Sequence, residues 1–206
     1  MSPSYKISKV IFDYLVGFVS LILLLPLLLV IFILIRLDSG APSIYLGNRV
    51  GKNGLEFKII KFRTMINRSE YIDGGNVTSE NDPRITKIGK TLRKYKLDEL
   101  PQLFNIIRGE MSFVGPRPEV QEFVDMYSEE DKKIILSVKP GITDLSSLSL
   151  VQLGKELGSS ENKDVFNQNL NKVLNKKIKL RRKYVKKMSF SLDLKIIIKT
   201  LLKIII

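Results

Sequence analysis

The longest apolar stretch of the chain lies near its start. Residues 14–35 are 22 positions without a charge, and most of them are Leu, Ile or Val. A straight helix of that length would extend about 33 Å, which is enough to cross the hydrocarbon core of a bilayer. The stretch is too long for a cleaved signal peptide, and no small-residue cleavage site follows it. It therefore predicts a membrane helix.

Pro26 lies in the middle of this stretch and predicts a kink, because proline removes one intrahelical donor and clashes with the preceding turn. Cationic residues flank the stretch on both sides, so two cytoplasmic ends would require a re-entrant hairpin rather than a crossing. A plain spanning helix with an incidental kink explains the same pattern, and charge and one proline alone slightly favour it. The flanking cations are Lys6, Lys9, Arg36, Arg49 and Lys52.

Short strands follow Asp38. Ile44-Tyr45 and residues 55–62 are predicted strands, joined by a turn at Asn53-Gly54, since both of these residues accept positive φ at little cost. Residues 69–83 are polar and contain glycine, which predicts a loop. The predicted β-hairpin is small.

Helical patterns dominate the rest of the chain. Asp98 is a candidate cap for one helix, which Gly109 would end. Gly115 to Pro118 form a rigid turn, and Pro140-Gly141 end a mostly helical region. The predicted helices cover residues 86–96, 98–108, 119–138 and 162–187.

The last segment, residues 192–206, places Lys195, Lys199 and Lys203 four residues apart, on one helical stripe. Almost all of its other positions are Leu or Ile. Such a helix is predicted to lie in the membrane interface with its lysines directed towards lipid headgroups. An amphipathic helix packed on the core is the alternative, but the very wide apolar arc favours the interface.

Composition excludes several kinds of chemistry, because the chain contains no Cys, His or Trp. A disulfide, a thiolate nucleophile, a Cys/His zinc site and an imidazole acid–base catalyst are all ruled out. Carboxylates that coordinate a hard cation are the most plausible metal chemistry that remains.

The net charge of +13 is concentrated at the C-terminal end: residues 172–206 contain twelve Lys or Arg and one acidic residue, Asp193. A basic tail fits either nucleic acid or an anionic membrane surface. The apolar anchor favours the membrane, and the aromatic stacking platform of single-strand binders is absent. We therefore expect membrane lipids, and no nucleic acid, as partners.

The adjacent acids Asp98 and Glu99 are the strongest candidate for chemistry. At a helix start, the helix dipole keeps a carboxylate ionised and available as a nucleophile or Mg²⁺ ligand. Taken alone, a capping role for Asp98 explains the pair more simply. Arg117 lies nearby in the sequence, between two prolines that hold it at little entropic cost, as suits a bidentate grip on phosphate.

Six motifs occur in order, and the set resembles the bacterial sugar transferase family, the monotopic phosphoglycosyl transferases of polysaccharide and glycoconjugate assembly. The resemblance runs from about residue 11 to the end, and residues 192–196 also fit it. The motifs are Lys61-Phe62-Arg63-Thr64-Met65, Asp82-Pro83-Arg84-Ile85-Thr86, Leu97-Asp98-Glu99-Leu100-Pro101-Gln102, Gly109-Glu110-Met111-Ser112, Gly115-Pro116-Arg117-Pro118 and Pro140-Gly141-Ile142-Thr143.

The resemblance implies a Mg²⁺-dependent reaction in two steps. Asp98 would attack the β-phosphate of a UDP-sugar and release UMP, and a polyprenyl phosphate would then take the sugar phosphate from Asp98. Glu99 would hold Mg²⁺. Phosphate would be bound by Arg93 and Arg117, together with the cations Lys61, Arg63 and Arg84.

The resemblance also implies an α+β fold in two parts. Residues 1–38 would form a re-entrant membrane helix broken near Pro26, in place of the spanning helix. Residues 39–206 would form a mostly helical catalytic domain with a small β-hairpin, on the cytoplasmic face of the bacterial inner membrane, with an interfacial helix from about residue 190. The resemblance leaves open whether the protein forms a homo-oligomer.

Three positions depart from the family pattern: Leu25 replaces the usual Ser before the proline, Gly47 replaces Gln, and Asp144 begins an unusual continuation after Thr143. The last departure lies where nucleotide or sugar selectivity could be set, so the sugar is not predicted. Two rival functions are a basic membrane protein without catalysis and a catalytically silent component of a polysaccharide assembly complex. Intact Asp98, Glu99 and Arg117 favour the enzyme.

Overall fold

The computed structural model describes residues 3–67, 82–149 and 163–205 of the chain. Long and short helices are mixed with two small sheets in the described part, as the α+β prediction requires. The loop predicted over residues 69–83 lies mostly outside the described residues. The elements are α1 (Pro3–Ser39), β1 (Ile44–Val50), β2 (Glu56–Phe62), α2 (Lys87–Lys94), a 3-10 segment (Leu97–Gln102), α3 (Leu103–Ile107), β3 (Ser112–Val114), α4 (Gln121–Asp125), α5 (Glu129–Ile135), β4 (Gly141–Thr143), α6 (Leu145–Ser149), α7 (Lys163–Lys187) and α8 (Phe190–Ile205).

Helix α1 contains the whole predicted apolar stretch and continues through Pro26, so the helix is not interrupted where a break was predicted. It is the one helix within the described ranges that is long and apolar enough to cross a bilayer. Most of its apolar surface is exposed, for example at Leu15, Leu23 and Leu37. The re-entrant path through a membrane stays a prediction. A single stripe faces the remainder of the protein, and its buried members are Tyr5, Asp13, Gly17, Leu28, Ile31 and Ile35.

The side chains of this stripe pack against the other elements of the protein along the length of α1. Near its C-terminal end, Leu28, Ile31 and Ile35 share a core cluster with side chains from β2 and α2. At Gly17, α1 comes close to α3, because a Cβ there would lie 3.2 Å from the Ile106 side chain. Helix α1 therefore forms one side of the domain that carries Asp98 and Glu99.

The predicted hairpin is confirmed. Strands β1 and β2 are antiparallel, with Ile44 opposite Phe62 and Val50 opposite Glu56. The turn contains Asn53 with φ of 58° and Gly54 with φ of 79°, in the left-handed region that this residue pair adopts readily. Strand β1 extends five residues beyond the predicted Ile44-Tyr45.

The helix predicted over residues 98–108 is divided, and the prediction that Asp98 caps it is wrong. A 3-10 segment begins one residue earlier, at Leu97, after Lys96 in a left-handed conformation, and no side chain caps its start. Pro101 has no N–H to donate, so the regular α-helical pattern begins only after it, in α3. Gly109 ends the helix with φ of 77°, as predicted.

The Gly-Pro-Arg-Pro turn is held by a short parallel sheet that the sequence did not predict. Strands β3 and β4 pair Ser112 with Gly141 and Val114 with Thr143. Beyond them, the N–H of Gly115 donates to the Thr143 carbonyl at 3.1 Å. A Cβ on Gly141 would lie 2.1 Å from the Gly115 nitrogen, so the two backbones meet only because both residues are glycine.

Apart from β3 and β4, the elements that the structure describes in the C-terminal half are helices, as predicted. The predicted helix over residues 119–138 is two helices, α4 and α5, separated where the Ser128 hydroxyl caps α5. Helix α7 packs Leu174 and Ile178 against Tyr127 and α5. Helix α8 buries Ile196 against β3 and α7. The lysine stripe of α8 is exposed, together with the apolar side chains of Leu194, Ile198, Leu201 and Leu202.

Candidate active site

The acidic pair lies in the 3-10 segment, beside β2. Asp98 and Glu99 are both buried, with 9% of each residue exposed. Asn105 of α3 fixes this arrangement, because its side-chain oxygen accepts from the Ile60 N–H at 3.0 Å and its amide nitrogen donates to the Lys58 carbonyl at 2.8 Å. These two bonds fasten α3, which follows the acidic pair, to β2, which carries Lys61.

Glu99 is the centre of an ion cluster. Lys61 of β2 donates to Oε1 of Glu99 at 3.1 Å, and Arg117 donates to both oxygens, with its Nη1 at 3.1 Å from Oε2. Burial alone would raise the pKa of Glu99, but the charges of Arg117 and Lys61 outweigh it and hold this pKa well below its usual range. Glu99 is therefore ionised, and it holds two cations at the site.

Asp98 has the opposite surroundings. Its Oδ1 is buried and has no hydrogen-bond partner. Burial, and secondarily the charge of Glu99, raise the pKa of Asp98, while Lys61, Lys96 and Arg93 oppose the increase. A buried carboxylate oxygen without a partner is costly in a folded protein. This oxygen is therefore the feature of the site that most requires an explanation.

Arg117 reaches the cluster from the turn after β3. Its side chain is 31% exposed, and Nη1 also donates to the Ile142 carbonyl at 3.3 Å. Its backbone N–H lies 3.4 Å from Oδ2 of Asp144. Contacts at the backbone and at the guanidinium of Arg117 thus direct its side chain towards Glu99.

Arg93 lies near Asp98, and Arg84 lies near Arg93. Arg93 of α2 donates from Nε to the Thr64 hydroxyl at 2.7 Å, and it is close enough to lower the pKa of Asp98. Arg84 forms a bidentate pair with Asp82, with Nε 2.9 Å from Oδ1 and Nη2 2.7 Å from Oδ2. The structure therefore brings Lys61, Arg93 and Arg117 to the acidic pair, with Arg84 near Arg93 but bound to Asp82.

Arg63 has a different set of partners. Its Nη2 donates to the carbonyls of Ser39 and Gly40, each at 2.8 Å, and its Nη1 donates to the Asn67 side chain at 2.8 Å. These carbonyls lie at the C-terminal end of α1, where cations satisfy otherwise unpaired acceptors. The structure places Arg63 as a cap of α1 rather than in the cluster around Glu99.

The model of the bacterial sugar transferase family matches residues 4–206, almost the whole chain. The chain belongs to the bacterial sugar transferase family. It is 42% identical over 144 residues to an Aeromonas hydrophila UDP-N-acetylgalactosamine-undecaprenyl-phosphate N-acetylgalactosaminephosphotransferase, a match that covers 69% of this chain and 34% of that protein. It is 40% identical over 161 residues to the exopolysaccharide production protein ExoY of Rhizobium meliloti, with 71% of each chain covered.

A third relative covers nearly all of this sugar transferase. The undecaprenyl-phosphate glucose phosphotransferase of Komagataeibacter xylinus is 34% identical over 205 residues, which is 95% of this chain and 35% of that protein. The sugar transferase thus spans about a third of two of these relatives. The phosphotransferase names support a transferase, and the proteins that bear them act on different sugars.

Glu99 is the predicted Mg²⁺ ligand and is adjacent in the sequence to the second carboxylate of the site, Asp98; binding of Mg²⁺ stays a prediction. Mg²⁺ in proteins commonly takes one or two carboxylates and completes its shell with substrate phosphates and water. The oxygens of Glu99 already accept from Lys61 and Arg117, so Glu99 would bind Mg²⁺ through the lone pairs that these bonds leave, and Oδ1 of the neighbouring Asp98 has no partner. No group of three or more acidic side chains that could hold a metal occurs in the described part of the chain.

Sequence reasoning missed Glu119 and Arg181, which lie behind Arg117, and it noted Asp144 only as a departure from the family pattern. A signal for Arg181 does exist: it lies three residues after Ile178 and three before Tyr184, so it falls on the buried face of α7. A cation on a buried face predicts an internal ion pair.

Proposed function

We propose that this sugar transferase moves a sugar 1-phosphate from a UDP-sugar to a polyprenyl phosphate and releases UMP, as the first step of polysaccharide or glycoconjugate assembly. The observation that carries this proposal is the buried, unpartnered oxygen of Asp98 next to a carboxylate that holds two cations. A nucleophile needs a free oxygen, and the group that it attacks needs cations around it. The names of the relatives support the class of donor and acceptor.

The transfer takes place in two displacements at one phosphorus atom. The Asp98 carboxylate attacks the β-phosphorus, the bond from that phosphorus to the bridging oxygen breaks, and UMP leaves with the electron pair. A phosphate oxygen of the polyprenyl phosphate then attacks the same phosphorus, and Asp98 leaves as a carboxylate. Asp98 must be ionised for the first displacement, and Lys61 and Arg93 favour the ionised form.

Arg117, Lys61 and Arg93 stabilise the charge that develops on the transferred phosphoryl group. Glu99 holds the first two in place before substrate arrives, so little reorganisation is needed during the reaction. Glu99 would hold Mg²⁺, which would neutralise charge on the diphosphate, and the free oxygen of Asp98 stays available for the attack. Arg84 is already bound to Asp82, and Arg63 is already bound to the end of α1. Either arginine would contact phosphate only through N–H groups that these bonds do not use.

The contacts of α1 support a re-entrant path through one leaflet. Its N-terminal end is bound to the domain through Tyr5 and Lys9, which both donate to Asp193 of α8. Its C-terminal end is bound through Ser39, which accepts from Arg63. A helix with both ends on one domain does not leave its N-terminus on the far side of the bilayer. We place the catalytic domain on the cytoplasmic face of the inner membrane, at the level of the lipid phosphate.

UMP release tests the function. Detergent-solubilised protein is incubated with Mg²⁺, polyprenyl phosphate and each of a set of UDP-sugars. We expect UMP from at least one donor, and at least a 1,000-fold slower release from Asp98→Asn, because an amide is a poor nucleophile (about 4 kcal/mol in barrier). Asp125→Asn, a change at an exposed aspartate of α4, is the matched control. Absence of UMP with every donor would favour a catalytically silent component of an assembly complex.

A further inference from the structure

Arg181 is the most deeply buried cation of the described residues, with 1% of its side chain exposed. It extends from α7 to three partners: Nη1 donates to the Tyr127 hydroxyl at 2.6 Å, Nη2 to Oε1 of Glu119 at 2.7 Å, and Nε lies 3.4 Å from Oδ2 of Asp144. Each of these partners comes from a different segment. Arg181 therefore fastens three segments of the chain to one helix.

Two of the partners flank Arg117. Glu119 lies two residues after it, and Oδ2 of Asp144 accepts from the Arg117 backbone N–H itself. Asp144 is fully buried and is fixed in turn by the Ser146 hydroxyl and the Ser147 N–H, each at 2.5 Å. The base of the Arg117 side chain is thus held by Asp144, while its guanidinium reaches Glu99.

We infer that Arg181, acting through Glu119 and Asp144, is a positioning residue that sets the direction of Arg117 for phosphoryl transfer. This inference rests on the function proposed above. Errors of about 1 Å in the placement of a group that stabilises charge cost about 100-fold in rate, and a fastening at the base of Arg117 prevents such errors.

Docking of α7 alone would explain a buried arginine, but α7 has other contacts for that purpose. Leu174 and Ile178 pack against Tyr127 and Ile135. The next residue, Arg182, pairs with Glu130 at 2.6 Å and Asp131 at 2.8 Å, both in α5. Arg182 therefore docks the same helix with two ion pairs and has no contact with the Arg117 turn among its described partners. It provides a matched control.

The experiment compares Arg181→Met and Arg182→Met for UMP release, each in the wild-type background and in an Arg117→Lys background. Circular dichroism confirms that every variant is folded at the assay temperature. We expect Arg181→Met to lower kcat at least 10-fold with a smaller change in KM for the donor, because charge stabilisation acts in the transition state. With Lys at position 117, the same change should cost less than about 2-fold, since residues that act through one another are non-additive.

Two results would overturn the inference while the wild type stays active: an equal loss in both backgrounds, or an equal loss of kcat in Arg182→Met. If Arg181→Met does not fold, Arg181→Lys carries the same test, because lysine keeps the charge and loses the planar fork. A wild-type enzyme that releases no UMP would instead refute the proposed function.

Discussion

Asp98 and Glu99 are neighbours in the sequence, yet the structure gives their carboxylates opposite properties. Burial and the charge of Glu99 raise the pKa of Asp98, whereas Arg117 and Lys61 lower that of Glu99. Two acids whose pKa values are moved apart take different roles in many active sites. Here Glu99, whose oxygens accept from Lys61 and Arg117, holds the cations. Asp98, which has an oxygen without a partner, is available to react.

The pH dependence of the reaction should follow the pKa of Asp98. Arg93 lowers that pKa, so Arg93→Gln raises it further. Because Asp98 must be ionised to attack, the acidic limb of the kcat–pH profile should move to higher pH in this variant. Lys94→Gln, at the exposed neighbouring position, should leave the limb in place. An acidic limb that stays or moves to lower pH in Arg93→Gln would show that Asp98 does not control it.

Glu99→Gln tests the role of the second acid. The change leaves Lys61 and Arg117 without their shared carboxylate, so turnover should fall at least 100-fold and stay low at saturating Mg²⁺. Glu99 has a lowered pKa, so its ionised form stabilises the fold above its unfolded pKa. The difference in Tm between wild type and variant should therefore be full at pH 7 and shrink as the pH falls through the folded pKa. Glu56→Gln, on the exposed side of β2, is the control, and an unchanged rate and Mg²⁺ dependence for Glu99→Gln would refute the role.

Single residues were predictable where their behaviour is local. Asn53-Gly54 forms the predicted turn because the φ preference belongs to the residues themselves. The place of Arg63 was not predictable, because its partners at the end of α1, Ser39 and Gly40, lie 24 and 23 residues away in the sequence. Asp98 was expected to cap a helix, but the left-handed Lys96 starts the 3-10 segment one residue earlier.

At the scale of elements, the first and last helices are joined by a buried polar network. Asp193 of α8 accepts from Tyr5 at 2.8 Å and Lys9 at 2.7 Å, both in α1, and from Tyr184 of α7 at 2.7 Å. The three helices were predicted from an uncharged apolar run, a basic helical pattern and a lysine stripe, but nothing local in the sequence indicates that they meet. Strands β3 and β4 escaped prediction for the same reason, since three residues form a strand only beside a partner.

Asp193→Asn should loosen this junction. It removes the charge that is paired with Lys9, and breaking a buried ion pair costs about 3–5 kcal/mol, which corresponds to a fall in Tm of roughly 10 °C for a chain of this size. The measurement is thermal unfolding in detergent. Glu129→Gln, which removes an ion-pair partner that is 89% exposed, should leave Tm unchanged. Equal Tm values for Asp193→Asn and wild type would mean that the network does not hold α1.

For the whole molecule, the main question is how it sits in the membrane. The exposed apolar surface of α1 and the exposed apolar and lysine side chains of α8 are the surfaces that a bilayer and its headgroups would cover. The two helices are joined at Asp193. This junction agrees with a helix that enters and leaves one leaflet beside an interfacial helix.

A single cysteine at Ser4 tests that topology in this Cys-free chain. Intact cells that express Ser4→Cys are treated with an impermeant thiol reagent, and lysed cells are treated in parallel. We expect protection in intact cells and labelling after lysis, as for Thr91→Cys at an exposed position of α2. Labelling of Ser4→Cys from outside, with Thr91→Cys protected, would mean a spanning helix.

The most direct test of the central claim is the mass of the enzyme itself. Detergent-solubilised protein is mixed with Mg²⁺ and a UDP-sugar that supports UMP release, without polyprenyl phosphate, and is quenched within one turnover. Intact mass and peptide mapping should show one sugar phosphate on Asp98, and polyprenyl phosphate added before the quench should remove it. Asp98→Asn should carry no adduct. UMP release with no sugar phosphate on the wild-type protein, or an adduct that persists in Asp98→Asn, would contradict the covalent mechanism.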